Sequence, residues 1–231
     1  MSIIIGLISK KCELVASDGR LTSGAEFKFG SVIKKAIPID DQFDKTFSLK
    51  EGRIIGTVAG LMEFHGLKIS EHLENILNEE CNNVNFLDQT MNCLATKLKT
   101  RIEGISDAEI LFEHRIIDLI LIGSTYDEPN DLKLFSFRFK PDLNSNIITV
   151  ESSEIPAHRK GFAHWQLFGD DASQESVNRF LSSELKETPI EEKRLRSLSY
   201  KAIRLGIISS SKHEFGEYPT CGGKPFVKTI K

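Results

Sequence analysis

The sequence predicts an α+β fold, a four-layer α-β-β-α sandwich of two antiparallel sheets flanked by helices. Two observations predict it. Stretches rich in β-formers are segregated from stretches of helical period, in the order strands, two helices, strands, two helices, strand. The helical stretches also come as two pairs, one for each outer face of two stacked sheets. No linker, low-complexity tract or internal repeat breaks the 231 residues, so residues 1–231 are expected to form a single domain.

The apolar run Ser2-Ile3-Ile4-Ile5-Gly6-Leu7 reads as a strand that starts with no leader before it. Lys10-Lys11 turns the chain, and residues 12–17 return as the second arm of a hairpin. Residues 27–39 are extended, with imperfect alternation. Residues 45–49 and 53–58 flank Lys50-Glu51-Gly52 as a second hairpin. Ile69, Leu73, Ile76 and Leu77 then line one helix face, and Leu87, Met91, Leu94, Ala95, Leu98 and Ile102 line the next. Strands return at 115–122, 132–139, 147–151 and 162–168, the middle ones separated by polar turns at 127–131 and 144–146. A third helix starts near Asp171, with Asp171 and Gln174 as its capping pair. The fourth has Thr188 as N-cap, Pro189 at its first position and Glu191 three after the cap. A strand over 225–230 closes the chain after Cys221-Gly222-Gly223.

Composition excludes several classes. Apolar content of 40% and charged content of 27% are those of a globular protein. The formal charge of −3, with Lys and Arg scattered, offers no basic stripe for nucleic acid. No apolar run spans a bilayer, and the N-terminus lacks the basic and long apolar parts of a signal peptide, so a cytoplasmic location away from membranes is expected. Cys12, Cys81, Cys93 and Cys221 form no CxxC pair or metal-ligand spacing, and free thiols are expected. The histidines show no HExxH pattern; His65 and His72, seven apart, are read as neighbours on one helix face. No cofactor or metal is expected.

A set of residues in order along the chain carries a resemblance. Ser2 opens an apolar strand. Ala16-Ser17-Asp18-Gly19-Arg20-Leu21-Thr22-Ser23-Gly24 follows, then Asp44-Lys45-Thr46-Phe47, then Ile55-Gly56-Thr57-Val58-Ala59-Gly60 with a long helix after it, and finally Cys221-Gly222-Gly223. In this order and spacing the chain resembles the N-terminal nucleophile (Ntn) hydrolases of the proteasome type, the proteasome β-subunits and their bacterial relatives. The resemblance implies an Ntn hydrolase fold over essentially the whole chain. It implies Ser2 as nucleophile after removal of Met1, where the family usually has threonine. It implies Asp18 as the aspartate supporting the catalytic lysine and the amine, Lys45 as that lysine, and Gly60 as the donor of the oxyanion-hole N–H. The pair Lys34-Lys35 is the alternative for the lysine; Lys45 is preferred because its strand leads directly to Ala59-Gly60.

Two departures stand out. Where the family has a serine in the turn before the third helix, this chain has Asp170, which joins the candidate site as a carboxylate able to hold the amine or Lys45 charged. The aspartate expected shortly before Cys221 is absent, and Glu217, beside Tyr218 and Thr220, is its one electrostatic substitute.

The chemistry suits these residue types. A serine hydroxyl is a weak nucleophile until a base takes its proton. An α-amine, with an ordinary pKa near 7.7–8.0, is partly neutral at physiological pH, and a neighbouring cation lowers that pKa further. If Met1 stays, Ser2 has no α-amine and no base. The implied activity is hydrolysis of a peptide or other amide substrate through an acyl-enzyme, small-molecule amides included. The alternative is a non-catalytic proteasome-like subunit with an assembly or scaffold role, supported by the two departures. The resemblance further implies a homo-oligomeric ring and admits an ATP-dependent unfoldase as partner, although no residue pattern speaks for one.

Overall fold

The computed structural model describes residues 2–9, 12–22, 27–29, 32–34, 37–81, 87–105, 117–124, 132–142, 147–156, 163–185, 190–210 and 221–230. The first strands are β1 (Ile4–Ile8) and β2 (Glu13–Ser17), then the short β3 (Leu21–Thr22), β4 (Phe27–Phe29), β5 (Val32–Lys34) and β6 (Pro38–Asp40). They are followed by β7 (Thr46–Leu49), β8 (Ile54–Gly60), β9 (Glu63–Phe64) and β10 (Leu67–Lys68). Helices α1 (Ile69–Glu79) and α2 (Leu87–Glu103) come next, then β11 (Ile117–Ser124), β12 (Leu132–Asp142), β13 (Ile147–Pro156) and β14 (His164–Phe168). Helices α3 (Asp171–Glu184) and α4 (Glu192–Ser209) and strand β15 (Phe226–Lys228) complete the order. It is a mixed α+β fold with four α-helices among the described residues.

Two antiparallel sheets carry the molecule. One has the order β14-β1-β2-β15 and the other β13-β12-β11-β8-β7. Both carry apolar layers on two faces, which explains why β1, and β11 apart from Asp118, read as apolar runs rather than as alternating ones. In β1, Ile3, Ile5 and Leu7 pack with Val177 and Leu181 of α3 and with Leu195, Leu198 and Ala202 of α4. Ile4 and Ile8 point the other way, into an apolar layer shared with Ile55 and Ala59 of β8, Ile120 and Ile122 of β11 and Leu134 of β12. The opposite faces of β8, β11 and β12 supply Val58, Leu119, Leu121, Phe135 and Phe137, which pack under α1 and α2. Gly6 is required where the sheets approach: a Cβ there would lie 2.6 Å from Ile120 Cγ2 and 2.9 Å from Leu134 Cδ1.

The apolar periods expected for α1 and α2 face this core, every residue of both sets being buried. Other expectations need correction. The third helix is capped by Asp170, whose Oδ1 accepts the Ser173 N–H at 2.8 Å, and not by Asp171; Gln174 Nε2 instead donates to Gly169 O at 2.7 Å. Helix α4 starts at Glu192 with Glu191 as N-cap, so the start expected from Thr188 lies too early, and Thr188 and Pro189 themselves fall outside the described residues. His65 is not helical. It sits in the turn between β9 and β10 at φ +50°, while His72 is buried in α1, its Nε2 3.0 Å from Phe64 O. The turns at 10–11, 127–131 and 144–146, Lys35, and Glu217 with its neighbours also lie outside the described residues.

The cysteines differ most from expectation. Cys81 and Cys93 form a disulfide that ties the end of α1 to α2, whereas Cys12 and Cys221 are buried free thiols. The bonded pair stands twelve positions apart in sequence, a spacing with no motif, and the packing of the two helices brings them together. No helix among the described residues is long and apolar enough to cross a membrane.

Candidate active site

The site is assembled where β1, β2 and β7 begin or end. The β1–β2 register pairs Ile4 with Ser17, so one residue further Asp18 faces Ile3, and the Asp18 N–H donates to Ile3 O at 3.0 Å. The Asp18 carboxylate is fully buried and accepts from four donors: at Oδ1 from Ile3 N–H at 3.0 Å and Lys45 Nζ at 2.8 Å, at Oδ2 from Gly222 N–H at 3.0 Å and Arg20 N–H at 3.3 Å. Both oxygens of Asp18 are thus satisfied by donors, as a buried polar group requires.

Lys45 stands one residue before β7, and its carbonyl accepts the Val58 N–H of β8 at 3.3 Å. Its side chain is 1% exposed, and Nζ donates to Ser2 Oγ at 2.7 Å as well as to Asp18. Ser2 is 8% exposed. Three residues separated by up to 43 positions therefore meet in one buried hydrogen-bonded unit. The segments around them are stapled from behind. Gly19 N–H donates to Gly222 O, Phe43 N–H to Gly19 O, and Lys224 N–H to Asp41 O. Arg20 donates from Nε and Nη2 to the two Asp41 carboxylate oxygens at 2.7 and 3.0 Å, a bidentate pair whose guanidinium lies against Gly222.

The other two candidates stand at the margin of this unit. Gly60 ends β8 at φ +91°, a left-handed conformation that favours glycine, and it is exposed, with Ile117 as its partner in β11. Asp170 is buried at the N-terminus of α3, held by Ser173 N–H, with Cys221 Sγ donating to its Oδ2 at 3.8 Å. The β1–β14 register pairs Ile4 with Phe168, the last residue of β14, and Asp170 follows two residues later as the N-cap of α3. Lys34, the alternative lysine, lies in β5, which pairs only with β4 among the described residues, whereas Lys45 is the lysine on Ser2. Sequence reasoning missed Cys221 and Gly222 as individual contributors, although the Cys-Gly-Gly motif marked the segment. No group of histidine, cysteine and carboxylate side chains among the described residues is arranged to hold a metal ion.

Anbu (ancestral beta-subunit) from Yersinia bercovieri matches with a TM-score of 0.56 at 15% identity, over 98% of this chain and 81% of that one. The fold is like that of Anbu. A Gly-1 mutant of Anbu from Hyphomicrobium sp. strain MC1 matches with a TM-score of 0.51 at 12% identity, over 100% of this chain and 87% of that one. At these identities Anbu shares the fold, a proteasome-like one, with this chain. No family model matches the chain, and no curated protein matches it. The expected resemblance is corrected accordingly. The structural likeness is to Anbu, a distinct proteasome-like family, and neither a family model nor a curated relative supports membership of the proteasome-type Ntn hydrolases.

Proposed function

We propose that this chain, one domain spanning residues 1–231, hydrolyses a peptide or related amide bond with Ser2 as nucleophile once Met1 is removed. The observation that carries the proposal is the buried Lys45 Nζ, 2.7 Å from Ser2 Oγ and 2.8 Å from Asp18 Oδ1. A structural ion pair needs no serine hydroxyl on the same ammonium. A site that lowers the cost of forming an alkoxide at Ser2 does.

In this mechanism the freed α-amine of Ser2 takes the Oγ proton as Oγ adds to the substrate carbonyl. Lys45, held by Asp18, faces the negative charge that develops. The Gly60 N–H at the end of β8 receives the oxyanion, a role whose removal typically costs about 10²–10³ in rate. Collapse expels the amine leaving group, which takes the proton from the α-ammonium, and leaves an ester on Ser2. Water, deprotonated by the same α-amine, then cleaves the ester. In this proposal Asp170, two residues after the Phe168 that pairs with Ile4, lies on the Ser2 side of the sheet, where its charge would raise the pKa of the α-ammonium. The three apolar layers support reading the architecture as a four-layer α-β-β-α sandwich. Assembly into a homo-oligomeric ring belongs to the same proposal.

A second reading, a non-catalytic proteasome-like subunit in an assembly, draws on Asp170, because a carboxylate beside the amine opposes its use as a base. Turnover of a peptide library by protein shown by intact mass to lack Met1, set against Ser2→Ala, separates the two. Hydrolysis lost in Ser2→Ala supports the enzyme. Absence of hydrolysis in fully processed protein supports the scaffold.

A further inference from the structure

Arg138 lies outside the unit described above, yet the stacking of the sheets brings it to the same end of the two sheets. Gly6 of β1 sits over Ile120 and Leu134. Two residues nearer the N-terminus, Ile4 pairs with Phe168, and the Arg138 guanidinium lies 4.5 Å from the centre of the Phe168 ring. These two anchors set the direction: the next step along the chain of β1 is Ser2. One such step is about 7 Å and the sheets are about 10 Å apart. In the other sheet, Arg138 pairs with Asp118, and Asp118 with Ala59, the residue before Gly60. Arg138 therefore stands two strands from the oxyanion candidate, and its guanidinium meets the opposite sheet at Phe168, whose partner Ile4 is one pleat repeat from the nucleophile.

The side chain is prepared for a ligand. Arg138 Nε donates to Asp118 Oδ1 at 2.7 Å, and the two side chains are 17% and 8% exposed. Asp118 at Nε and the Phe168 ring 4.5 Å from Cζ hold the guanidinium from two sides. Among the described residues Asp118 is the acceptor it meets, which leaves the Nη groups as pre-oriented donors in a half-buried wall. A fully structural arginine of this burial would have its Nη groups spent on backbone or carboxylate oxygens.

We propose that Arg138 is a specificity residue that binds a carboxylate of the substrate, about two residues from the bond cleaved at Ser2. The inference rests on the hydrolase reading for its reaction but on its own geometry for its ligand. Asp118 is the positioning residue that holds the guanidinium.

The test uses internally quenched peptides carrying Glu or Gln at each position within three residues of a fixed scissile bond, with free and amidated C-termini as separate arms. A side-chain carboxylate and a terminal one are thereby told apart. At one position kcat/KM should favour the carboxylate by about tenfold, the worth of one charge-assisted hydrogen bond. Arg138→Met combined with Asp118→Asn, which leaves no unpaired buried charge, should level the two substrates. Arg138→Lys should retain only part of the preference, because an ammonium lacks the planar fork. Equal rates for Glu and Gln peptides in the wild type, or a preference that survives in the double variant, would overturn the proposal. If no peptide is cleaved, the hydrolase reading fails and Arg138 is judged by binding. Calorimetric titration of the Glu and Gln peptides into Ser2→Ala protein should then show the same preference, and equal affinities sink it.

Discussion

The ammonium of Lys45 lies 2.7 Å from the hydroxyl oxygen of Ser2, with both residues withdrawn from solvent. It is on this contact that the proposed hydrolysis relies, a cation beside the oxygen that would carry negative charge.

Lys45→Met should therefore act on two observables. It leaves the Asp18 carboxylate buried without its counter-charge, at a cost of about 3–5 kcal/mol in unfolding free energy. It should also abolish Ser2-dependent turnover. Denaturant titration checks the first, and adding Asp18→Asn should recover part of the lost stability without restoring turnover. A Lys45→Met protein as stable as wild type would contradict the buried pair.

Asp170→Asn should lower the pH at which the basic form of the enzyme appears. An anion facing an ammonium raises its pKa, so the neutral amide should release the proton at lower pH and increase kcat/KM on the acid side of the profile. Asparagine keeps the N-cap of α3, so stability should change little. A profile left unmoved, or moved to higher pH, would remove Asp170 from the neighbourhood of the amine.

Glu13, at the start of β2, sets a pH trend in stability. Burial, reinforced by the Glu192 carboxylate, pushes it from an ordinary 4.5 up to about 7. Between those values the folded state keeps a proton that the unfolded state has lost, so this contribution is largest at low pH and declines as pH rises towards 7. His72 acts oppositely: burial lowers its pKa, so its contribution is lost on acidification below about 6.5. Glu13→Gln should gain stability relative to wild type at pH 8 more than at pH 5, measured by urea unfolding at both. An equal difference at the two pH values would contradict the assignment.

Alkylation in denaturant without reductant should modify two of the four cysteines, Cys12 and Cys221, and all four after reduction. Cys93→Ser should cost about 2–4 kcal/mol, the usual effect of opening a short loop. Four reactive thiols in unreduced protein would show that the bond between α1 and α2 does not form in solution.

Much of this arrangement was legible before the structure. The β1–β2 and β7–β8 hairpins and the apolar faces of α1 and α2 rest on local periodicity, visible along a single chain, whereas the grouping of Ser2, Asp18 and Lys45 is an expectation from the resemblance, and their contact is a tertiary one. What escaped depends on tertiary proximity or on competing local chemistry. Cys81 and Cys93 meet only because α1 and α2 pack side by side. Asp170 and Asp171 are equivalent on paper as caps, and Asp170 is the one that stands with extended backbone at the helix start, its carboxylate on Ser173 N–H. The pairing of Asp118 with Arg138 needs the register of β11 against β12, which alternation alone leaves open.

The most direct measurement is covalent labelling of protein that intact mass shows to begin at Ser2, using a β-lactone and mapping the adduct by peptide mass spectrometry. The account predicts one adduct on the N-terminal peptide at Ser2, absent from Ser2→Ala and from Lys45→Met. A fully processed protein that takes up no label, or one that is labelled equally in Ser2→Ala, would contradict it.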